Sequence, residues 1–195
     1  MKLVLASTSR IRAELLTRAG LVFEALRPEV DENALKASAT GFAPGDLAQS
    51  LAVSKATSVA NRRPGVIVIG ADQVLNLEGR AFDKPGSREE ARDHLLHLRG
   101  RSHVLETAVC CVRGGDILWQ YLGRARLTMR DFSEAFLDDY LKRMGPEVLT
   151  SVGAYKLEGL GAQLFEAIDG DYFTILGLPL LPLFDFLRRE GALAA

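Results

Sequence analysis

Five short segments of this chain carry side chains suited to holding a phosphate or activating a water. Ser7-Thr8-Ser9-Arg10-Ile11-Arg12 joins an apolar run, Lys2–Ala6, to a stretch with Ile11, Leu15, Leu16 and Ala19 at helical spacing. Hydroxyls, free backbone N–H groups at a helix start and an arginine on its first turn suit an anion. An ordinary helix cap between solvated arginines uses the same residues. Lys55 lies four residues after Leu51 and four before Val59. On that apolar stripe a lysine either snorkels to water or finds an anion. Asp72 terminates the run Val66–Ala71, at the edge where open α/β sheets place ligands. A carboxylate there binds a divalent cation or orients a water. As a mere cap it would precede a helix, whereas Gln73-Val74-Leu75 reads as strand. Lys84, made extended by Pro85, reaches the same pocket or stays a loop lysine. Ala154–Gly161, with its glycines and Glu158, lets backbone approach a ligand or forms a plain turn. It matches neither dinucleotide nor P-loop fingerprints. Asp169-Gly170-Asp171 lacks the later ligands of a calcium loop and reads as a hairpin turn. His94, His97 and His103 do not have zinc-site spacing.

The elements that must position these groups follow from periodicity and punctuation. Strands are expected at Lys2–Ala6, Leu21–Arg27 and Val66–Ala71, the last being continuous, β-branched and fully buried. Pro44 opens a helix to about Asn61, with Ala48, Leu51, Ala52 and Val59 on its apolar side. Glu78-Gly79 turns the chain into Arg80–Phe82. Ser87 and Glu90 form a capping box for a helix to about Leu98. Val104–Val112 and Ile117–Met129 flank Gly114-Gly115 as a long hairpin. Ser133 caps a helix that Gly145-Pro146 ends, Gln163–Ile168 and Tyr172–Leu176 read as a second hairpin, and Pro179 opens the last helix. Hairpins mixed with helices predict a mixed sheet in an α/β or α+β fold, as one domain over residues 1–195, rather than a doubly wound parallel sheet.

Composition narrows the function. Lys and Arg number 24 against 25 Asp and Glu, so no global charge draws the chain to nucleic acid or anionic membrane. A local cluster of bases must hold any anionic ligand. The adjacent Cys110 and Cys111 read as small core residues on opposite strand faces, a usage that fits a reducing cytoplasm. No signal peptide and no bilayer-length apolar stretch is expected.

The order and spacing of the motifs resemble the Maf family of nucleoside triphosphate pyrophosphatases along nearly the whole chain. The matching segments are Leu5-Ala6-Ser7-Thr8-Ser9 with Arg12 and Glu14-Leu15-Leu16; Pro28-Glu29-Val30-Asp31-Glu32; Lys55-Ala56; Gly70-Ala71-Asp72-Gln73-Val74; Lys84-Pro85; Gly153-Ala154-Tyr155 with Glu158-Gly159; and Gly170-Asp171 with Gly177-Leu178-Pro179-Leu180. The resemblance implies an inosine-triphosphatase-like fold, an elongated mixed sheet with two lobes around a cleft. It implies α–β phosphoanhydride cleavage to a nucleoside monophosphate and pyrophosphate, a Mg²⁺ or Mn²⁺ requirement, and a homodimer. Carried onto matching positions, Ser7, Ser9 and Arg12 are triphosphate ligands and Lys55 and Lys84 are phosphate binders. Glu29 is a metal ligand or its supporter, Asp72 the general base and a metal ligand, and Ile11, Gln73 and Glu158 tune base specificity. Asp72-Gln73 and Glu158 resemble the 7-methyl-GTP branch, whose early Trp is replaced here by Ile11, which supplies no cation–π contact. The dTTP/UTP branch carries Asp-Thr and a Gln instead. The family's other expected role, regulation of septum formation without catalysis, predicts that Asp72→Asn still blocks cell division when overexpressed.

Overall fold

The computed structural model describes residues 2–194. The N-terminal apolar run forms β1 (Leu3–Ala6), buried throughout, and leads into α1 (Arg10–Arg18). β2 (Glu24–Leu26) is shorter than the Leu21–Arg27 strand expected. The acidic segment Glu29–Glu32 after it carries a helix start. Asp31 accepts a hydrogen bond from the Ala34 amide and starts α2 (Glu32–Ser38). α3 (Pro44–Ala60), β3 (Ile67–Leu77), β4 (Arg80–Phe82) and α4 (Arg88–Leu98) follow. Ser87 caps α4 through the Glu90 amide, while the Glu90 carboxylate reaches back to the Gly86 N–H. The long hairpin is β5 (Ser102–Arg113) and β6 (Asp116–Met129), and α5 (Glu134–Met144) starts at its Ser133 cap. β7 (Phe165–Asp169), α6 (Tyr172–Ile175) and α7 (Leu180–Arg189) complete the chain.

Among the described residues, seven strands form one mixed sheet in the order β2-β1-β3-β5-β6-β7, with β4 beside β3. β1 runs parallel to β2 and β3; the other pairs are antiparallel. The mixed sheet is therefore as expected. Its most consequential feature is a gap. β5 pairs β3 without interruption from Val68 to Asn76. On the opposite edge, β1 ends at Ala6, opposite Gly70, and β4 pairs only from Leu75 onward. Residues 71–74 have no strand partner on that edge.

One face of β1 and β3 packs Val4, Ala6 and Val68 against Ala48, Ala52, Ala56 and Val59 of α3. The opposite face sets Leu3, Leu5, Ile67 and Ile69 against α1 and α7. A second core lies at the far end of the sheet, where Leu75, Leu105 and Leu127 meet α4 and α5. The gap in the sheet falls between these cores. The alanine stripe lets α3 lie very close to the sheet. A Cβ on Gly70 would stand 2.3 Å from the Ala52 carbonyl oxygen and 2.9 Å from the Ala56 nitrogen. Both are backbone atoms that cannot turn aside. Gly70→Ala is expected to destabilise the fold by about 3 kcal/mol, the upper end of ordinary overpacking. A urea midpoint at the wild-type value would contradict this account of the contact.

The expected second hairpin does not form. β7 pairs with β6, and the residues after it turn into α6. The Asp171 carboxylate accepts from the Thr174 amide at 2.7 Å and its hydroxyl at 2.9 Å, so Asp-Gly-Asp ends as a helix cap. Cys110 and Cys111 are free and buried on opposite faces, and burial pushes the Cys110 thiol up to about 12. No helix among the described residues is long and apolar enough to cross a membrane.

Candidate active site

The uncovered edge of β3 opens into a cleft of about 1760 Å³. Its walls come from the start of α1, the first turn of α2, α3, the β3–β4 hairpin, the loop at residues 147–158, and α6 with the start of α7.

Asp72 projects from β3 on the α3 side, just past the point where β1 ends. It is 8% exposed, so its charge needs a partner. Lys55, equally buried on the fourth turn of α3, donates to Asp72 Oδ1 at 2.5 Å. Lys55 also pairs with Glu32 Oε1 at 2.9 Å. The lysine on the apolar stripe has thus found two anions, both from the protein. An ammonium carries three donors, so one remains for a ligand.

Arg12 fills the gap in the sheet from the other side. Its Nη1 donates to the Ala71 carbonyl at 2.9 Å and its Nε to the Gly177 carbonyl at 2.7 Å. Burial pulls the guanidinium below its ordinary range, while Asp72 and Glu32 pull it back up. Two of its five N–H donors are occupied by those carbonyls and the others are left for the cleft. Ser7 is buried, and its Oγ accepts from the Ser9 amide at 3.1 Å. Ser9 precedes α1 without capping it through its side chain, so the first amides of α1 have no side-chain acceptor. They are free to meet an anion. Lys84 is exposed as a residue, yet its ammonium sits in the cleft. Partial desolvation, then the charges of Arg12 and Lys55, pull it below the ordinary lysine range.

Gln73, the next residue on β3, points to the opposite face. Its Nε2 reaches Thr107 Oγ1 at 2.8 Å and the carbonyls of Thr174 and Ile175 at 3.0 and 3.1 Å. Ile11 and Glu158 also line the cleft. The loop carrying Glu158 is held through its left-handed turn at Gly153 and Ala154 (φ 75° and 59°). Tyr140 Oη donates to the Ala154 carbonyl, and Tyr155 Oη shares a 2.7 Å hydrogen bond with His103 Nε2. Burial pushes His103 down to about 4, so this imidazole is neutral at neutral pH.

Nine of the ten site residues singled out in the sequence line this cleft; Glu29 does not. Its side chain is exposed and pairs with Arg62 at 2.6 Å, and its amide is held by Ser58 at the far end of α3. Glu32 occupies the position expected of it. The extended segment before Asp31 runs alongside α3, and only when α2 starts does a carboxylate swing toward Lys55. A signal existed: Asp31 followed by the helix-forming run Glu32–Ser38 is a helix start. Among the described residues no group of three or more His, Cys, Asp or Glu could hold a metal by itself. The Asp72–Glu32 pair offers only hard carboxylate oxygens. That set fits a cation which takes one or two protein carboxylates and completes its shell with water and phosphate oxygens, as Mg²⁺ does.

The chain matches the family described as Maf-like protein over residues 2–190. It is 53% identical over 192 residues to a protein of Rhodospirillum rubrum named nucleoside triphosphate pyrophosphatase, covering 97% of this chain and 95% of that one. It is 50% identical over 194 residues to a protein of Mesorhizobium japonicum named 7-methyl-GTP pyrophosphatase, covering 98% of each. A HAM1 protein from Coxiella burnetii is a remote structural likeness, with a TM-score of 0.47 at 15% identity over 68% of this chain and 74% of that one. With its family match spanning all but the ends and such relatives covering the cleft-forming segments, the chain belongs to the Maf-like protein family.

Proposed function

We propose that this protein is a nucleoside triphosphate pyrophosphatase that clears modified or non-canonical nucleotides. It cleaves the α–β anhydride to a nucleoside monophosphate and pyrophosphate. The observation that carries the reading is the buried Asp72–Lys55 pair, joined by the half-exposed Glu32 and set beside Arg12 and the open N-terminus of α1 at the uncovered edge of β3. A triphosphate is a string of anionic oxygens. The free donors of Arg12, Lys55 and Lys84, with Ser7, Ser9 and the amides of α1, can bind it. Asp72 takes a proton from the attacking water as its oxygen adds to phosphorus, and the bridging P–O bond breaks as pyrophosphate leaves. Arg12, Lys55 and Lys84 stabilise the charge that develops on the departing pyrophosphate.

Asp72 and Glu32 would hold a divalent cation, Mg²⁺ or Mn²⁺. When bound, it would supply neutralisation of phosphate oxygens and acidification of a water. Gln73, Glu158 and Ile11 would meet the base, in the manner of 7-methyl-GTP pyrophosphatases rather than of enzymes for dTTP or UTP.

Pyrophosphate release from a panel of GTP, 7-methyl-GTP, dTTP, UTP and modified pyrimidines, with Mg²⁺ or Mn²⁺, tests the reading. Turnover of at least one is expected; none across the panel would overturn it. The carboxylate assignment has its own test. Glu32→Gln is expected to lower turnover roughly 10–100-fold and raise the metal concentration needed, as loss of a cation-supporting group does. Glu29→Gln should stay within about threefold, as an exposed ion pair implies. The opposite ranking would return the metal role to Glu29.

A further inference from the structure

α2 carries Glu32 into the cleft, yet it has no apolar anchor. It buries none of its residues, and none of them packs into the three hydrophobic clusters. Its seven residues are too few to hold a helix together in water. The chain is pinned before α2, where Ser58 holds the Glu29 amide, and after it, where Pro44 is buried at the start of α3. Between those pins, among the described residues, two side chains of α2 make a polar tie to another element. Glu32 reaches Lys55, and the Lys36 ammonium donates to Asp83 Oδ1.

Glu32 and Lys36 are one turn apart, so they share a face of α2. That face spans the cleft, from α3 on one wall to the end of β4 on the other. Asp83 is a firm post. Phe82 before it is buried in the core at the far end of the sheet, and Pro85, two residues on, is buried too. The other tie, Glu32 to Lys55, is one that a bound cation or phosphate competes for. The Lys36–Asp83 pair is therefore the tie that can keep α2 in place while the site is occupied.

We propose that Lys36 and Asp83 are positioning residues, whose ion pair clasps α2 to the end of β4 and so holds the Glu32 carboxylate beside Asp72 for a shared divalent cation. Neither residue touches the cation; both act through Glu32. The inference rests on the reading above that Glu32 helps to hold the metal.

The test reads Mn²⁺ binding to the full chain without nucleotide, through loss of the free-ion electron paramagnetic resonance signal. Lys36→Met and Asp83→Asn should each weaken binding about three- to fivefold, the worth of one exposed ion pair. Through-space charge alone would move them in opposite directions, because Lys36→Met removes a positive charge and should then tighten the site. The double variant should bind no more weakly than either single, since the two residues act as a unit. In a Glu32→Gln background, Asp83→Asn should shift the affinity by less than about 1.5-fold, because the carboxylate it positions is gone. Opposite shifts in the two singles, a change below about threefold in either, an additive double, or a loss that persists without Glu32 would each overturn the inference. So would a wild type that binds no Mn²⁺ at millimolar concentration. Pyrophosphate release is measured separately: a protein that turns over nucleotide but fails these comparisons loses the clasp alone. One that passes them but releases no pyrophosphate keeps the clasp and loses the pyrophosphatase reading.

Discussion

Asp72→Asn is expected to slow pyrophosphate release by roughly 10²–10⁴-fold, the range lost when a positioned general base is removed. The substitution keeps the shape of the side chain, and its amide oxygen can still accept the hydrogen bond from Lys55. The group that receives the proton is gone, and so is one of the two negative charges available to a cation. The loss should therefore appear in kcat at saturating metal and nucleotide, with a smaller change in KM. The fold should persist, because the hydrophobic clusters on either side of β3 do not depend on this charge. An Asp72→Asn protein that is folded and retains activity within threefold of wild type would remove Asp72 from the chemistry. The same protein serves the regulatory alternative. If it blocks cell division when overexpressed as the active protein does, a role apart from catalysis is required.

Lys55→Met should lower stability as well as turnover. The ammonium lies between Asp72 and Glu32, and its side chain is 9% exposed. Methionine fills the aliphatic volume beneath α3 and leaves the two carboxylates facing each other without a counter-charge. Breaking a buried pair by removing one partner costs about 3 kcal/mol. The double variant Lys55→Met/Asp72→Asn should recover part of that loss, since it also removes the stranded charge. Millimolar Mg²⁺ should raise the Tm of Lys55→Met more than that of the wild type. In the variant the cation takes the place of the missing ammonium between the carboxylates, and a ligand that binds only the folded state stabilises it. If Lys55→Met is as stable as wild type and its Tm ignores Mg²⁺, the charge balance proposed for this group is wrong.

Most of the elements were legible because their signals are local. The β-branched run at Val66–Ile69, the Pro44 helix start, the Ser87 and Ser133 caps and the long Gly114-Gly115 hairpin all form where expected. Errors arose where a polar residue had two local uses. Asp171 reads equally as a turn residue or as a cap, and only the presence of Thr174 three residues on, packed beneath β5 and β6, decides for the cap. Glu29 and Glu32 are both acidic residues in one short motif. Which of them faces Lys55 depends on the turn of α2 and on the anchoring of residue 29 to Ser58 and Arg62.

By itself the sequence determined the inventory of chemistry: a carboxylate directly after a buried β-branched run, a lysine on an apolar stripe, an arginine at a helix start; that β3 carries on past Asp72 to Leu77 is seen only in the structure. Motif order was enough for the family, because side-chain type and spacing are properties of the chain alone. What only the tertiary structure decided is which of those groups meet. β1 ends opposite Gly70 and β4 pairs only from Leu75 onward, so β3 has a bare edge at Asp72 that no local pattern announces. Arg12 satisfies the Ala71 carbonyl there from a helix 59 residues away in sequence. Lys55 is drawn to Asp72 and Glu32 because a buried charge must be paired, and the partners it reaches depend on how three separate elements pack.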